Sequence, residues 1–415
     1  MDPVYVIGTS MTRFGPLPEA GVKSLTREAV GGALADAALP AAAVEAVFFA
    51  NATQGVVEGQ VSTPGQFALH AAGVTGVPVV NVENACASAA TAFWLACTQV
   101  RSGGADTVLA VGAEKMVYPG PDRAARVFDS FLGALDVERA QESLDRVLAL
   151  GADVPGRSGE GRRTVMMDLY AGLCRAHMRR FGTTREQLAL IASKNHGHAA
   201  LNDKCHYDRP MSPEQVLAGR PLAYPLTVPM CAPLSDGAAA AVVCNRSGLD
   251  RLPRAVRSRA VRVRACELRS ATDRAWDDFD RHVVRRAALA AYERAGVRAE
   301  QVDLAEVHDA AAFGELFAAE LLGLAPLGGG GRLAESGDTR LGGAIPINTS
   351  GGLESRGHPI GATGLAQIHE LVTQLRGEAG ARQVRDASVG VQENGGAFLG
   401  VEEAAAVVTV LSSGG

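Results

Sequence analysis

The sequence predicts an α/β protein with a mostly parallel sheet and two similar halves. Three observations support this fold class. Short apolar runs of strand length alternate with longer stretches of helical periodicity. A strand–loop–helix pattern of the first half recurs in the second half, which is typical of an internal repeat. Between these regions a polar, proline-containing stretch breaks the alternation, which indicates an inserted segment.

The first half begins with alternating strands and helices. Val4 to Ile7 is predicted to be a short strand, a helix follows at 24–38, and the next strand lies at 44–50. An apolar, β-branched run at 77–82 is expected to be a buried strand that leads into a helix. A further buried strand is predicted at 107–111. Alternation of this kind is typical of right-handed βαβ units.

The inserted segment is predicted to cover about 118–232. It contains helices at 134–150 and 164–180, and a third helix opens at Thr183 with a Thr-x-x-Glu capping-box pattern. Strand–helix alternation resumes at an apolar run, 237–244. The predicted organisation is a first half at 1–117 and 233–250, an inserted covering loop domain at 118–232, and a second half at 251–415.

The second half repeats the pattern of the first. A helix at 281–295 precedes a strand at 302–307, and a helix at 365–375 is followed by a strand near 387–391. The arginine-rich stretch 245–264 joins the two halves. We interpret it as a solvated linker in preference to a phosphate-binding patch.

Composition and charge restrict the function classes. A hydrophobic content of 47% and a charged content of 20% are typical of soluble globular proteins, and the net charge of −5 argues against a nucleic-acid-binding surface. The N-terminus has no signal-peptide pattern, and no apolar run reaches the roughly 18 residues that a membrane span needs. Seven cysteines, an odd number, indicate free thiols in a reducing compartment. We therefore expect a cytoplasmic protein that binds neither nucleic acid nor membrane.

Cys86 is the first candidate for a catalytic residue. It follows the predicted strand at 77–82 and lies at the start of the next helix. The free N–H groups and the positive dipole end of a helix start favour an anion, so they should lower the pKa of a thiol held there. The alternative is that Cys86 is a small core residue. This stretch alone leaves both interpretations open.

His358 is the second candidate. Gly357 and Pro359 flank it, and Gly351-Gly352 and Gly361 lie close by, which indicates a tight backbone turn that presents the ring to a pocket. A histidine can take the proton of a thiol and return it near neutral pH. The internal repeat places His358 and Cys86 at equivalent helix starts, so we expect them to face each other.

Two further segments follow predicted strands. His308 and Asp309 end the strand at 302–307, at the edge where α/β folds build sites. For Asp309 we prefer a role as the N-cap of a helix at 310–322 over a catalytic role. Glu393-Asn394-Gly395-Gly396 is expected to form a loop after the last inner strand. Its glycines would let backbone N–H groups approach a ligand, as an oxyanion hole requires.

A metal site is not expected. His196, His198 and His206 lie near Cys205, but their spacing matches no dependable zinc pattern.

The segments around these candidates resemble the thiolase family. The run 348–364, with its Gly-His-Pro sequence, is similar to the signature around the catalytic histidine of thiolases. The corner 83–88 resembles the nucleophile loop, and 235–240 resembles the segment where the covering loop domain rejoins the sheet. His308-Asp309 stands where many thiolases carry Asn-Glu, which resembles the sterol-carrier-protein type. The resemblance covers nearly the whole chain.

The resemblance implies a fold, an assembly and a reaction. The fold is a five-layered α-β-α-β-α sandwich of duplicated βαβαβαββ halves, and the assembly is a homodimer. The reaction is acyl transfer between coenzyme A thioesters, with coenzyme A as a substrate and no bound cofactor. Cys86 would accept the acyl group, His358 would activate it, and His308 would hold a water or the thioester oxygen. The N–H groups of Cys86 and Gly395 would form an oxyanion hole.

The sequence departs from the family at one point. Thiolases normally use a second cysteine to exchange a proton with the α-carbon of the substrate. In the sterol-carrier type it follows His-Asp, where this chain has Ala310, and in the commoner type it precedes the last Gly-Gly, where this chain has Glu393. Our hypothesis is that Glu393 transfers the proton, since a carboxyl group of raised pKa can do so. The alternative is that Glu393 only forms loop hydrogen bonds.

Three functions follow from this pattern. We favour a 3-ketoacyl-CoA thiolase, or the reverse Claisen condensation, in lipid metabolism, with the inserted domain shaping the acyl pocket. The second is a biosynthetic C-acyltransferase, because Cys86, His308 and His358 also resemble the set of elongating ketosynthases. The third is a partner-dependent or non-catalytic subunit that works with a separate zinc-ribbon/OB-fold protein. A related aldolase is disfavoured, because retro-aldol cleavage needs no thiol.

Overall fold

The computed structural model describes residues 2–120, 126, 137–160 and 163–414. The strands within these ranges are β1 (Val4–Met11), β2 (Ala46–Ala50), β3 (Val79–Val82), β4 (Thr107–Glu114), β5 (Gly237–Cys244), β6 (Val261–Ser270), β7 (Leu304–Glu306), β8 (Val389–Gly396) and β9 (Ala405–Ser412). The α-helices are α1 (Val22–Asp36), α2 (Gln54–Val57), α3 (Pro64–Ala71), α4 (Ser88–Arg101), α5 (Val137–Leu150), α6 (Val165–Phe181), α7 (Arg185–Ala199), α8 (Pro213–Leu217), α9 (Arg246–Asp250), α10 (Arg254–Arg257), α11 (Val283–Ala295), α12 (Ala312–Leu321), α13 (Gly330–Ser336), α14 (Gly352–Arg356) and α15 (Thr363–Leu375).

The strand order confirms the internal repeat. The described strands form one sheet in the order β3-β2-β4-β5-β1-β6-β9-β8-β7. From the centre outward, the first half runs β1, β5, β4, β2 and the second half runs β6, β9, β8, β7. In each half, the strand that comes first in the chain lies at the centre of the sheet and the strand that comes last lies beside it. The other two strands follow outward in reverse chain order. The halves meet where Val4 to Val6 of β1 pair with Val261 to Val263 of β6.

The sheet is mixed, so the expectation of a mostly parallel sheet was wrong. Among the pairings between the nine described strands, those of β2 with β3, β2 with β4, and β7 with β8 are parallel. The other pairings are antiparallel. The reason lies in the connections. A short segment joins β8 to β9, and such a connection reverses the chain direction without a crossover helix.

Two central helices separate the half-sheets. α4 and α15 pack against each other, and each packs on strands of both halves. α1 covers the outer face of the first half, and α11 covers the outer face of the second. Helix, sheet, helix, sheet and helix thus follow one another, as the five-layered fold requires. Gly364 permits the central contact, since a Cβ atom there would lie 2.6 Å from the backbone nitrogen of Ala90.

The inserted segment between β4 and β5 packs on the second half. Its helices α6 and α7 share an apolar core with α12, in which Leu173 and Leu188 join Phe313. The expected helices are present within the described residues, although 134–136 lie outside them. The capping box lies one residue later than predicted: the Thr184 hydroxyl accepts from the N–H of Gln187, and the Gln187 side chain accepts from the N–H of Thr184.

Two boundaries differ from the sequence analysis. The stretch 245–264 is not a linker throughout: it forms α9 and α10 and then enters β6, a strand at the centre of the sheet. The predicted buried strand at 77–82 is the half-exposed edge strand β3, in which Val80 is 48% exposed. Apolar β-branched runs suit both a central strand and an edge strand that is covered on one side.

No helix in the described part of the chain is long and apolar enough to cross a membrane. All seven cysteines are free thiols, as their odd number indicated. The cytoplasmic location stays a prediction.

Candidate active site

Cys86 lies at the strand-to-helix corner that the sequence predicted. It is in a short 3₁₀ turn, Ala85–Ala87, between β3 and α4. Ala85 takes a left-handed backbone conformation with φ 48°, which is costly for a residue with a Cβ atom. The carboxylate of Glu83 accepts from the N–H of Ala85 at 2.6 Å, and the hydroxyl of Ser88 donates to its carbonyl at 2.6 Å. These bonds hold the turn that presents the sulfur.

The sulfur of Cys86 lies 3.2 Å from Nε2 of His358. The predicted meeting of the two halves is therefore confirmed. Nδ1 of His358 lies 2.7 Å from the hydroxyl of Thr363, which itself donates to the carbonyl of Pro359 at 3.0 Å. Because that hydroxyl has a single hydrogen, it accepts from Nδ1–H. Nε2 is then left unprotonated, and it accepts the S–H of Cys86 as a general base would.

Burial sets the protonation state of this pair. Cys86 is partly accessible from a cavity, but burial raises the pKa of its thiol to about 12, and the charges of Glu114 and Glu83 add to the rise. The N–H groups of Ala397 and Cys86 oppose it only in part. Burial also holds the pKa of His358 well below its usual value. The expectation that the helix start makes Cys86 more acidic was wrong for this resting state, which is thiol and neutral imidazole.

The backbone around His358 is held by a buried carboxylate from the second half. Oδ1 of Asp309 accepts from the N–H of Leu353 at 2.7 Å, at the first turn of α14, which directly precedes the Gly-His-Pro sequence. The predicted N-cap role of Asp309 on the following helix was wrong, since α12 begins after Ala311 without a side-chain cap. Gly352 permits the observed contact, because its φ is +62° and a Cβ atom there would lie 2.1 Å from Oδ2 of Asp309.

A carboxylate of the first half ties the histidine loop to the nucleophile side. Glu114, at the end of β4, accepts from the N–H of Gly361 at 2.9 Å and from the N–H of Ala52 at 3.0 Å. Its side chain is fully buried. The bond to Gly361 crosses between the halves three residues after His358, so it helps to fix the sulfur–imidazole distance.

His308 lies beside this pair. Its ring centroid is 5.2 Å from that of His358, with the planes at 81°. One nitrogen of each histidine and the sulfur of Cys86 lie within 4.8 Å of one another. The amide of Asn394 donates to Nδ1 of His308 at 3.0 Å, which leaves the proton of His308 on Nε2. Burial lowers the pKa of His308 to about 4, so it is a neutral hydrogen-bond donor.

Glu393 and Gly395 lie within strand β8 and not in a loop after it. Oε2 of Glu393 accepts from the N–H of His308 at 2.9 Å. Burial and the nearby Glu403 raise its pKa to about 8. Glu393 lines a small second cavity next to His308, whereas Gly395 lines the cavity that contains Cys86. The proton transfer by Glu393 and the oxyanion hole at Gly395 stay predictions.

The end of β8 touches the nucleophile turn. A Cβ atom on Gly396 would lie 2.2 Å from the carbonyl oxygen of Asn84 and 2.7 Å from the nitrogen of Ala87. Only glycine permits this approach, which brings the N–H groups of the two segments to one cavity.

The cavity over Cys86 is walled by the inserted domain. Its lining is largely apolar and includes side chains from α6 and from the segment that returns to β5: Met166, Met167, Tyr170, Leu222 and Val228. Within the described residues, the predicted inserted segment therefore lines this cavity, and its role in shaping an acyl pocket stays a prediction.

Comparisons with known proteins agree with this geometry. The family model "Thiolase, N-terminal domain" matches residues 4–218, and "Thiolase C-terminal domain-like" matches 266–412. The chain belongs to the thiolase family. Sterol carrier protein 2 of Bos taurus is 37% identical to this thiolase over 413 residues, which cover 95% of the chain and 71% of that protein. The resemblance to the sterol-carrier-protein type is thereby confirmed.

Other relatives of this thiolase carry enzyme names. An acetyl-CoA acetyltransferase of Methanothermobacter thermautotrophicus is 37% identical over 402 residues, covering 95% of this chain and 96% of that one. A benzoylsuccinyl-CoA thiolase subunit BbsB of Thauera aromatica is 31% identical over 391 residues, which cover 92% of this chain and 91% of that protein. The solved structure "Ltp2-ChsH2(DUF35) aldolase" has the same fold. It superposes on 99% of this chain and 98% of its own chain with a TM-score of 0.77, and the two sequences are 21% identical.

The histidines of the inserted domain have separate partners. His196 bonds to the carbonyl of Pro229 and His198 to that of Asn348. Within the described ranges, the group of ligand-type side chains close enough for a metal is the one formed by Cys86, His308 and His358. These three side chains are the predicted catalytic residues.

Sequence patterns give little indication of the residues that position the candidate site. Thr363 stands five residues after His358, at the first position of α15, and this separation is not a helical spacing that would have indicated the contact. Glu114 had a weak signal, as a single carboxylate at the end of an apolar run. Glu403 gave none, because it follows an acidic neighbour near the C-terminus and resembles a solvated pair.

Proposed function

We propose that this thiolase is an acyl-CoA C-acyltransferase that cleaves a 3-ketoacyl-CoA with coenzyme A, or runs the reverse condensation, through an acyl-Cys86 intermediate. The observation that carries the proposal is the 3.2 Å approach of the Cys86 sulfur to an unprotonated Nε2 of His358. A nucleophile, a base and a group that orients the base are the parts that covalent acyl transfer requires.

The residues support a defined order of steps. As the sulfur of Cys86 attacks the 3-keto carbon, its proton passes to Nε2 of His358. The bond between C2 and C3 then breaks, the acyl group remains on Cys86, and the electron pair leaves as the enolate of an acyl-CoA that is protonated at its α-carbon. His308, a neutral donor beside His358, stabilises negative charge on the thioester oxygen. Coenzyme A then takes the acyl group, and His358 returns its proton to Cys86.

The substrate is an acyl-CoA thioester whose chain enters the cavity below the inserted domain. Met166, Met167 and Leu222 offer an apolar surface to that chain. The names of two relatives, for acetyl-CoA and for benzoylsuccinyl-CoA, support this substrate class. Coenzyme A is a substrate, and the mechanism requires no bound cofactor.

The proposal is tested by intact-mass spectrometry of the protein after incubation with a panel of acyl-CoA thioesters. We expect one acyl adduct per chain, mapped by peptide analysis to Cys86 and removed by added coenzyme A. The absence of an adduct from every thioester would contradict the acyltransferase and would favour a non-catalytic subunit.

A ketosynthase-like C-acyltransferase is the second candidate, because two histidines lie beside the sulfur. Release of carbon dioxide from malonyl-CoA, dependent on His308 and His358, distinguishes this activity from thiolytic cleavage.

The assembly is proposed to be a homodimer that joins through the edge of the first half. β3 ends the sheet, and apolar side chains of β3 and of the segment between β2 and β3 are exposed: Val56, Val61, Phe67 and Val80. An open strand edge with an apolar rim is suited to pairing with a second copy. The word "subunit" in the name of the Thauera aromatica relative supports a separate partner protein as well, for which we propose the zinc-ribbon/OB-fold class.

A further inference from the structure

Glu403 lies in the wall of the catalytic cavity. It follows β8 in the connection to β9, and it lines the cavity together with Cys86, His308 and His358. It also lines the smaller cavity that contains Glu393, so it lies where the two meet. Gly395 packs against it, since a Cβ atom on that glycine would lie 2.7 Å from Cγ of Glu403. The side chain of Glu403 is therefore next to Gly395, whose N–H group is predicted to form part of the oxyanion hole.

The neighbouring Glu402 has a different environment. Its carboxylate binds Nε of Arg274 at 2.6 Å and accepts from the N–H groups of Val283 and Thr272 at 2.7 and 2.8 Å. These contacts start α11 and neutralise the charge, so Glu402 is a structural residue. Because Arg274 is engaged by Glu402, it forms no ion pair with Glu403.

Glu403 has an unused hydrogen-bonding atom. Its Oε2 is buried and has no hydrogen-bond partner among the described residues. The nearest histidine nitrogen, Nε2 of His282, is 3.7 Å away, and burial holds the pKa of His282 well below its usual value, so that ring is neutral. A buried, unpaired carboxyl oxygen is costly, and such atoms persist at sites of function.

We propose that Glu403 is the catalytic acid and base that exchanges the proton of the substrate α-carbon, in place of the second cysteine that this chain lacks. This inference rests on the proposed function. It assigns to Glu403 the step that the sequence analysis gave to Glu393. Glu393 already accepts the N–H of His308 and does not line the cavity of Cys86.

The proton balance of the reaction closes with this assignment. In cleavage, the protonated Glu403 gives its hydrogen to the α-carbon of the enolate and becomes a carboxylate. That carboxylate next takes the proton of the coenzyme A thiol, whose sulfur attacks the acyl group on Cys86. The Cys86 sulfur leaves and recovers its proton from His358. Both forms of Glu403 are accessible near neutral pH, because burial raises its pKa to about 7.

The test separates proton exchange from acyl transfer. The protein is incubated with acetyl-CoA in deuterium oxide, deuterium in the methyl group is measured by mass spectrometry, and acetyl-Cys86 is measured by intact mass. Because Glu403 also protonates the departing coenzyme A when acetyl-CoA acylates Cys86, we expect Glu403→Gln still to form acetyl-Cys86, but more slowly than the wild type, while its exchange rate falls by about 10²- to 10⁴-fold. Glu403→Asp, which keeps a carboxyl group, should recover part of the exchange.

Three outcomes would contradict the assignment. Wild-type exchange in an acetylated Glu403→Gln variant would overturn it and leave the proposed function intact. Loss of exchange in Glu393→Gln, with exchange retained in Glu403→Gln, would assign the step to Glu393. Failure of the wild-type protein to form acyl-Cys86 from any thioester of the panel, together with absence of exchange, would remove the proposed function and this inference together.

Discussion

The two halves of this thiolase have the same strand order but contribute unequally to the site. In the first half, the connection from β3 to α4 covers only residues 83–87 and presents one sulfur. In the second half, Ile347 pairs with Ala305 as β3 pairs with β2, and the connection to α15 covers residues 348–362. The second half supplies both histidines and, among the described residues, the carboxylate that lines the cavity.

The difference in length explains the division of roles. A short connection places Cys86 at a helix start beside backbone N–H groups, and the base at its sulfur comes from the second half. The longer connection folds into α14 and holds His358 through Thr363, Asp309 and Glu114. The two copies of a repeat can thus keep the same topology while one copy carries the nucleophile and the other carries the groups that transfer protons.

The largest loss of activity should come from removing the nucleophile that the first half contributes. Cys86→Ala should lower the acyl-transfer rate by about 10⁵-fold or more, since loss of a nucleophile removes the covalent route. Steady-state assays with the best acyl-CoA of the adduct panel would measure it. The chain offers a matched control in Cys231, a thiol that lines the same cavity. Cys231→Ala should keep its acyl adduct, and a variant that loses the adduct would argue against Cys86 as the acceptor.

A smaller effect should come from releasing the base in the second half. Thr363→Val keeps the shape of the side chain but removes the hydroxyl that holds Nδ1–H of His358. We expect kcat to fall on the order of 10- to 100-fold, equal to about 1.5–3 kcal/mol of lost orientation, with KM little changed. Thr363→Ser should restore most of the activity. If the serine variant were as slow as the valine variant, packing and not the hydroxyl would be the cause.

These two predictions also show what sequence reasoning could reach. The units that surround Cys86 and His358 were predictable, because apolar periodicity and glycine spacing are local signals. The contacts that hold them were not. Glu114 meets Gly361 only after segments 247 residues apart fold together, and Glu403 meets Gly395 only when the connection from β8 to β9 folds back on the strand. The prediction of a lowered pKa for Cys86 was wrong for the same reason. The sequence indicates the helix start that lowers the pKa of the thiol, whereas the burial that raises it further depends on the whole fold.

The opposing effects of the helix start and of burial on the pKa of Cys86 give the prediction with the smallest expected effect. Alkylation requires the thiolate, and a raised pKa lowers the thiolate fraction at every pH below it. With its pKa near 12, Cys86 should react with iodoacetamide at pH 8 at least about 10-fold more slowly than a free thiol of pKa about 8.5, and the rate should keep rising beyond pH 9. A plateau between pH 6 and 8 that disappears in His358→Ala would instead indicate a resting thiolate–imidazolium pair. The helix start would then outweigh burial, and the first half would activate its own nucleophile.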